Sequence, residues 1–478
     1  MILRRGLIGL LGPFIFCLIY FLFSPADLSR EGVAVLGIAI WMGIWWITEF
    51  TDIAITALLP IILFPLTDAV DINETTAAYG HRYVFLYMGG FFLAIAIEKW
   101  NLHRRIALNI IYLVGSNMQR IVLGFMLATA FMSMWISNTA TSVMMLPIAL
   151  AIIAQVKDHP DTPEDERDIF GKMILLSIAY SASIGGIATL FGTPPNLVFA
   201  GIVKEIYGTE ITFFQWLQIG LPISLTLLAV AWVYLTRFAF KMKVSGFPGG
   251  KPEIARLKNQ LGIFSFQEII VSIVFAATAI CLIARQWLQV WLPQLDDSII
   301  AMAAGITLCL LPSGKSGGRI LNWSEAVKMP WGVLILFGGG MALAKGFTTT
   351  GLAEWIGQQL ISLNGLPILL ILFVLIAAVN FLTEITSNLA TTAMLLPILA
   401  SMAISVGVHP YLLLVSATVA ASCAFMLPVA TPPNAVVFGA GLLKIRDMSK
   451  TGLWLNLLSI CFLTFFIYFF LDLIWILD

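Results

Sequence analysis

Apolar stretches long enough to span a membrane recur from one end of this chain to the other. They lie at 6–23, 33–48, 52–67, 83–98, 172–190, 213–236, 266–286, 297–312, 330–346, 410–428 and 452–476. A helix rises 1.5 Å per residue, so about twenty residues cross a hydrocarbon core of about 30 Å. Of the 478 residues, 60% are hydrophobic and 11% charged, against about 25% charged in a soluble domain. The chain reads as an all-α polytopic membrane protein with about eleven transmembrane helices. Arg4 and Arg5 before the first stretch resemble a signal peptide. No small-residue cleavage site follows convincingly, so this segment reads as a retained first helix.

The same composition excludes several functions. Lys plus Arg and Asp plus Glu both number 26, so the basic excess of a nucleic-acid-binding protein is missing. Cys17, Cys281, Cys309, Cys423 and Cys461 sit in apolar stretches and read as core thiols. His81, His103, His159 and His409 are scattered rather than clustered for a metal. No nucleophile–base pair is visible, so an enzyme is not expected.

Two further apolar regions, 121–156 and 366–406, are interrupted in the middle. A cytoplasmic N-terminus puts most of the 26 Lys and Arg residues inside, and Asp27, Glu31, Asp68, Asp71, Glu74, Asp296 and Asp297 outside. That holds only if both interrupted regions return to the side they entered. Each half is about 16 residues, roughly 24 Å of helix, too short to cross. Each region therefore reads as a re-entrant helical hairpin, whose irregular tip must be buried in protein or line a cavity. The polar stretch from 237 to 265, with Gly246, Pro248, Gly249, Gly250 and Pro252, reads as a cytoplasmic linker. The expected setting is the plasma (inner) membrane, multi-pass, surrounded by lipid.

Three motifs occur twice, in the same order. Gly89-Gly90 is matched by Gly339-Gly340. Ser137-Asn138-Thr139, running on to Pro147, is matched by Ser387-Asn388-Leu389, running on to Pro397. Thr193-Pro194-Pro195-Asn196 is matched by Thr431-Pro432-Pro433-Asn434. On the charge-based orientation the 83–98 helix runs inwards and the 330–346 helix outwards, so the repeat has inverted topology. Inverted repeats with discontinuous helices mark secondary transporters, which bind substrate and ions at the breaks.

At Ser137-Asn138 and Ser387-Asn388 one helix stops and another begins. Ser and Asn oxygens cap freed backbone N–H groups. The new helix presents a partially positive N-terminus that suits a carboxylate, and released carbonyls suit a hard cation such as sodium. The prolines of Thr-Pro-Pro-Asn interrupt the helical hydrogen bonds. The glycine pairs read as close-packing positions, because the Lys and Ser or Thr of a phosphate loop are missing. Among the acids, Glu49 and Asp52 read as turn residues, while Glu384 stands near enough to Ser387 to tune a cation site.

The paired Ser-Asn tips and paired Thr-Pro-Pro-Asn breaks resemble the divalent anion:sodium symporter family, over nearly the whole chain. The resemblance implies a homodimer whose protomers move a transport domain as an elevator against a scaffold. The scaffold would comprise 1–117 and 266–350, the transport domain 118–240 and 351–478, and the linker 241–265. It implies one sodium at Ser133, Ser137, Asn138 and Gly192, and a second at Thr383, Ser387, Asn388 and Ala430. Substrate would meet Asn138, Thr139, Asn388, Leu389, Thr193, Pro194, Thr431 and Pro432. Leu389 departs from the Thr that similar bacterial members often carry. The implied function is sodium-coupled import of C4-dicarboxylates such as succinate, malate and fumarate. The alternatives are a sodium-independent carboxylate exchanger or citrate transporter of the same fold, and a cation/proton antiporter.

Overall fold

The structure is a computed structural model that describes residues 2–115, 117–157, 164–241, 250–314, 318–359 and 365–475. The first half runs α1 (Ile2–Leu22), α2 (Arg30–Thr48), α3 (Ile53–Thr56), α4 (Leu59–Leu66), α5 (Ile72–Tyr79), α6 (Arg82–Lys99), α7 (Leu102–Val114), α8 (Met118–Ser133), α9 (Asn138–Lys157), α10 (Glu164–Gly186), α11 (Pro194–Tyr207) and α12 (Phe213–Val233). A π-helix (Tyr234–Ala239) and α13 (Gly250–Asn259) follow. The second half runs α14 (Phe266–Ile283), α15 (Arg285–Leu288), α16 (Asp297–Leu310), α17 (Trp323–Ala326), α18 (Trp331–Thr349), α19 (Leu352–Gln359), α20 (Ile368–Leu382), α21 (Asn388–Val406), α22 (Pro410–Ala420), α23 (Pro432–Phe438) and α24 (Ile445–Trp475). Among the described residues, nine helices are long and apolar enough to cross a membrane, and shorter apolar helices accompany them.

The sequence repeat is a repeat of structure. The order α6, α7, α8, break, α9, α10, break, α11, α12 recurs as α18, α19, α20, break, α21, α22, break, α23, α24. Both interrupted regions break where the Ser-Asn pairs stand. Their second arms, α9 with 20 residues and α21 with 19, exceed the sixteen read from apolar character. Helix α9 continues through Gln155 to Lys157, and α21 continues to a left-handed glycine, Gly407 at φ 69°. The 52–67 stretch is divided into α3 and α4, with Pro60 at the start of α4. The 410–428 stretch is helical only to Ala420.

Apolar runs did not announce α7 and α19, which are amphipathic. Helix α7 buries Leu102, Ala107, Leu108 and Ile111 while Leu113 stays exposed, the stripe of a helix lying on a surface. Arg105 anchors it. Its guanidinium donates to Glu268 at 2.8 and 3.1 Å and to the carbonyls of Leu261, Gly262 and Ile263 at 3.0–3.2 Å. The glycine pairs pack closely, as their sequence suggested. A Cβ on Gly89 would collide with the backbone of Ala301 in α16, and one on Gly339 with Ala57 beside α3.

Candidate functional site: two oxygen-lined helix breaks

At the first tip α8 ends at Ser133 and α9 begins at Asn138. Ser133, which is fully buried, directs its Oγ to Asn138 and, at 2.6 Å, to the carbonyl of Ala182 in α10. The Asn138 amide fits two ways round. With Oδ1 inward it accepts from the Ser133 hydroxyl and otherwise faces the carbonyls of Ala182 and Gly192. With Nδ2 inward it donates to both carbonyls at 3.1 Å. With Nδ2 inward the cluster satisfies itself; with Oδ1 inward, Oδ1 and the Ala182 and Gly192 carbonyls share only the Ser133 hydroxyl proton, an oxygen set that suits a hard cation. The cage is narrow. A Cβ on Gly186 would come within 2.7 Å of Asn138 Oδ1, and one on Gly192 would collide with the Gly186 carbonyl.

The break between α10 and α11 is held open by Asn196. Its Nδ2 donates to the carbonyls of Gly186 at 3.1 Å, Ile187 at 3.2 Å and Thr189 at 2.7 Å. Thr189 Oγ1 in turn donates to the Met134 carbonyl, linking this break to the hairpin tip.

The second tip repeats the plan. Thr383 Oγ1 meets Asn388 Oδ1 at 2.6 Å and the Ala421 carbonyl at 3.0 Å. Asn434 Nδ2 donates to the carbonyls of Ala424 at 3.3 Å and Leu427 at 3.0 Å, and Thr431 Oγ1 accepts from the Asn434 N–H at 3.3 Å. The buried oxygens Ser183 Oγ and Asn196 Oδ1 near the first break, and Ser422 Oγ and Asn434 Oδ1 near the second, have no hydrogen-bond partner among the described residues. Such atoms call for water or a cation.

Glu384 gathers donors at the second break. Its Oε1 accepts from the N–H of Phe425 at 2.8 Å, the N–H of Met426 at 3.0 Å and Asn456 Nδ2 at 2.8 Å, and its Oε2 from the Leu427 N–H at 3.1 Å. These donors are released where α22 stops, and the carboxylate gathers them. Asp52 caps α3 through the Ala54 N–H at 2.8 Å, and Glu49 ends α2 in the left-handed region at φ 47°. Both are turn residues, as expected.

Of the expected first sodium set, Ser133, Asn138 and Gly192 converge. Ser137 is exposed, its Oγ accepting from the Ala140 N–H at 3.3 Å. Of the second, Thr383 and Asn388 meet, while Ser387 starts α21 without a side-chain cap and Ala430 is buried in the 421–431 segment. Of the expected substrate set, Thr139 and Pro432 are exposed, Thr193 and Thr431 are buried, and Pro194 is half-buried. Leu389 is 6% exposed. It shares with Pro194 a crevice against Tyr83, Tyr87, Val333 and Phe337 of α6 and α18, with about 10 Å³ of free space, the lower limit for one water.

Sequence reasoning missed the carbonyls of Ala182 and Ala421, the two Thr-Pro-Pro-Asn asparagines as staples, and Asn380 and Asn456 as partners of the second break. Asn380 Nδ2 donates to the Cys423 carbonyl at 2.6 Å. A detectable signal existed for the last two, since amides inside apolar helices seek interhelical partners.

Residues 7–477 match the family described as the sodium:sulfate symporter transmembrane region. A sodium-dependent dicarboxylate transporter, SdcS, of Staphylococcus saprophyticus is 46% identical over 471 residues, covering 97% of this chain and 91% of the relative. Its namesake from Staphylococcus aureus strain MRSA252 is 44% identical over 476 residues, covering 98% and 92%. Among solved structures, the Alcanivorax borkumensis YdaH transporter superposes with a TM-score of 0.56 at 13% identity, covering 81% of this chain and 85% of that one. Neisseria gonorrhoeae MtrF gives 0.56 at 10% identity, covering 98% and 95%. These two carry a likeness of fold alone.

Proposed function

The chain belongs to the sodium:sulfate symporter family, the divalent anion:sodium symporters that its duplicated motifs resemble, and from that premise we propose that it imports C4-dicarboxylates such as succinate, malate and fumarate with sodium as the coupling ion. The observation that carries the reading is the duplicated convergence of oxygens at the two tips, Ser133 and Asn138 with the Ala182 carbonyl at the first and Thr383 and Asn388 with the Ala421 carbonyl at the second. The names of the relatives, sodium-dependent dicarboxylate transporters, support both the ion and the substrate class.

One sodium belongs with Ser133, Ser137, Asn138 and the Gly192 carbonyl, and the second with Thr383, Ser387, Asn388 and the Ala430 carbonyl. The Ala182 and Ala421 carbonyls, which meet Ser133 and Thr383, are further ligands of the two ions. A dicarboxylate has two negative ends, and the duplicated tips offer two helix N-termini, those of α9 and α21. Asn138, Thr139, Thr193 and Pro194 line one end, and Asn388, Leu389, Thr431 and Pro432 the other. The motifs lack Lys and Arg, so bound sodium supplies the positive charge that the anion needs. That requirement couples the two solutes: without sodium, the carboxylates face carbonyl and amide oxygens.

The moving unit is 118–240 with 351–478, carried as an elevator past the scaffold 1–117 with 266–350 in each protomer of a homodimer. Residues 241–265 link the halves in the cytoplasm, and the N-terminus is cytoplasmic in the plasma membrane. Uptake of labelled succinate into proteoliposomes tests the function. An inward sodium gradient drives accumulation and choline does not. Equal uptake in choline would leave a sodium-independent carboxylate exchanger.

A further inference from the structure

Away from the breaks, a groove of about 1150 Å³ opens between the end of α12 with its π-helix and the beginning of α24. Tyr234 OH, in the π-helix, donates to the Thr451 carbonyl of α24 at 3.1 Å and forms its floor. The walls are apolar: Ala229, Val230 and Val233 on one side, Trp454 and Leu458 on the other, with Phe238 at the edge. Phe238, Trp454 and Leu458 are exposed.

One end of the groove is strongly basic. Lys172, Lys444, Arg446 and Lys450 border it, with Asp447 as the acid among its lining residues. Lys172 is already neutralised, its Nζ lying 3.0 Å from Asp168 and 3.2 Å from Asp447. Lys444, Arg446 and Lys450 have no carboxylate within ion-pair distance among the described residues. They crowd the first turns of α24, the end of a helix that repels cations. Arg446 and Lys450 stand four residues apart on one face. Three unpaired cations around a helix N-terminus create a strong demand for an anion. An apolar channel leading from them, flanked by an exposed Trp, sets the chemistry of that anion.

We propose that this groove binds an anionic phospholipid. Its phosphate sits among Lys444, Arg446 and Lys450 and the first N–H groups of α24, and its acyl chains lie along Val230, Val233 and Leu458. The charge distribution puts this end in the inner leaflet, and basic pockets between membrane helices hold such headgroups. The site has a route to the breaks. Lys450 and Asn456 share α24, and Asn456 donates to Glu384 at 2.8 Å. The inference does not rest on the transported substrate.

The test uses delipidated full-length protein in detergent and follows its melting temperature with phosphatidylglycerol, phosphatidylcholine or glycerophosphoglycerol as probe. Phosphatidylglycerol raises the melting temperature, while phosphatidylcholine and the chain-free headgroup do not. A favourable contribution per cation of the usual size implies that K444A/R446A/K450A binds phosphatidylglycerol on the order of a hundredfold more weakly. Val230→Trp, which fills the channel and keeps every charge, loses the lipid as well. Native mass spectrometry counts retained lipid on both variants, so a fold defect in one does not decide the matter. Equal stabilisation by phosphatidylcholine, full stabilisation by the chain-free headgroup, or undiminished lipid retention in both variants would overturn the proposal.

Discussion

Asn434 does at the second break what Asn196 does at the first. Each sends its Nδ2 to carbonyls ten and seven residues upstream: Gly186 and Thr189 for Asn196, Ala424 and Leu427 for Asn434. Both asparagines are fully buried. The Thr-Pro-Pro-Asn motif is thus a complete device. Its prolines stop one helix from running into the next, and its asparagine holds the loosened backbone in shape.

The staples are testable directly. Asn196→Ala removes a donor from three buried carbonyls and Asn434→Ala from two, and among the described residues it is Gly186 in the first and Ala424 in the second that keep no other donor, at about 1–3 kcal/mol per group left unpaired. Both variants should melt lower than the wild type, with Asn196→Ala, which loses three bonds, falling further. Thermal unfolding in detergent checks the order. Unchanged melting in both would mean that the breaks hold their shape without the amides.

Glu384→Gln separates a backbone cap from a cation ligand. Gln replaces one acceptor oxygen with an NH₂ group facing N–H donors, so one of Phe425, Met426 or Leu427 loses its partner. Stability should fall by about 1–3 kcal/mol, while the half-saturating sodium concentration of the folded fraction stays within twofold. A large rise in the sodium requirement with unchanged melting would return Glu384 to the cation site.

The tie at Glu210 tests the division into moving and fixed units. Glu210 lies 2.6 Å from Arg285 and 3.1 Å from Arg82, which belong to the proposed scaffold, while Glu210 belongs to the proposed transport unit. Burial alone would raise its carboxyl, but Arg285 and Arg82 outweigh burial and hold it below the usual range. A depressed carboxylate contributes its stabilisation above its unfolded pKa and loses it as pH falls through the folded value. The Glu210 carboxylate therefore stays ionised at neutral pH, and its contribution is lost only as pH falls below the usual carboxylate range. If the tie forms in only one state of the cycle, Glu210→Gln shifts the balance of states. A partly exposed ion pair of up to about 1 kcal/mol corresponds to a change in half-saturating succinate of about two- to fivefold. Unchanged kinetics in the variant would mean that Glu210 and its arginines move together.

Leu389 is where the two tips differ most, Thr139 against Leu389. Leu389→Thr adds a hydroxyl at the mouth of the crevice shared with Pro194. We expect a modest gain in apparent succinate affinity, or an altered rank among succinate, malate, fumarate and citrate, with sodium dependence intact. An identical rank and half-saturation, combined with lower stability, would assign Leu389 to packing against α6 and α18.

The duplicated motifs were legible because a helix break demands particular residue types. Asn138, Asn388 and the Thr-Pro-Pro-Asn pairs stand out in any reading of the chain. The carbonyls of Ala182 and Ala421 were not legible, because every residue carries a carbonyl and only the packing of α10 and α22 aims these two. Ser137 illustrates the converse. Ser133 and Ser137 have the same ligand chemistry, and residue type alone does not tell that Ser133 turns inward while Ser137 lies at the surface of the tip. Glu384 was conspicuous as an acid in apolar surroundings, but its role depended on which donors α22 released. Helices α7 and α19 escaped because a search for apolar runs cannot see a stripe.

The central claim is that the duplicated tips hold the coupling sodium ions, and a sodium titration of labelled succinate uptake into proteoliposomes tests it most directly. Wild-type protein, Asn138→Ala and Asn388→Ala would be compared, each confirmed folded by thermal unfolding. The account predicts uptake that vanishes in choline for the wild type, and a half-saturating sodium concentration raised at least tenfold in each variant. Uptake that persists in choline, or a sodium dependence untouched by both substitutions, would contradict it.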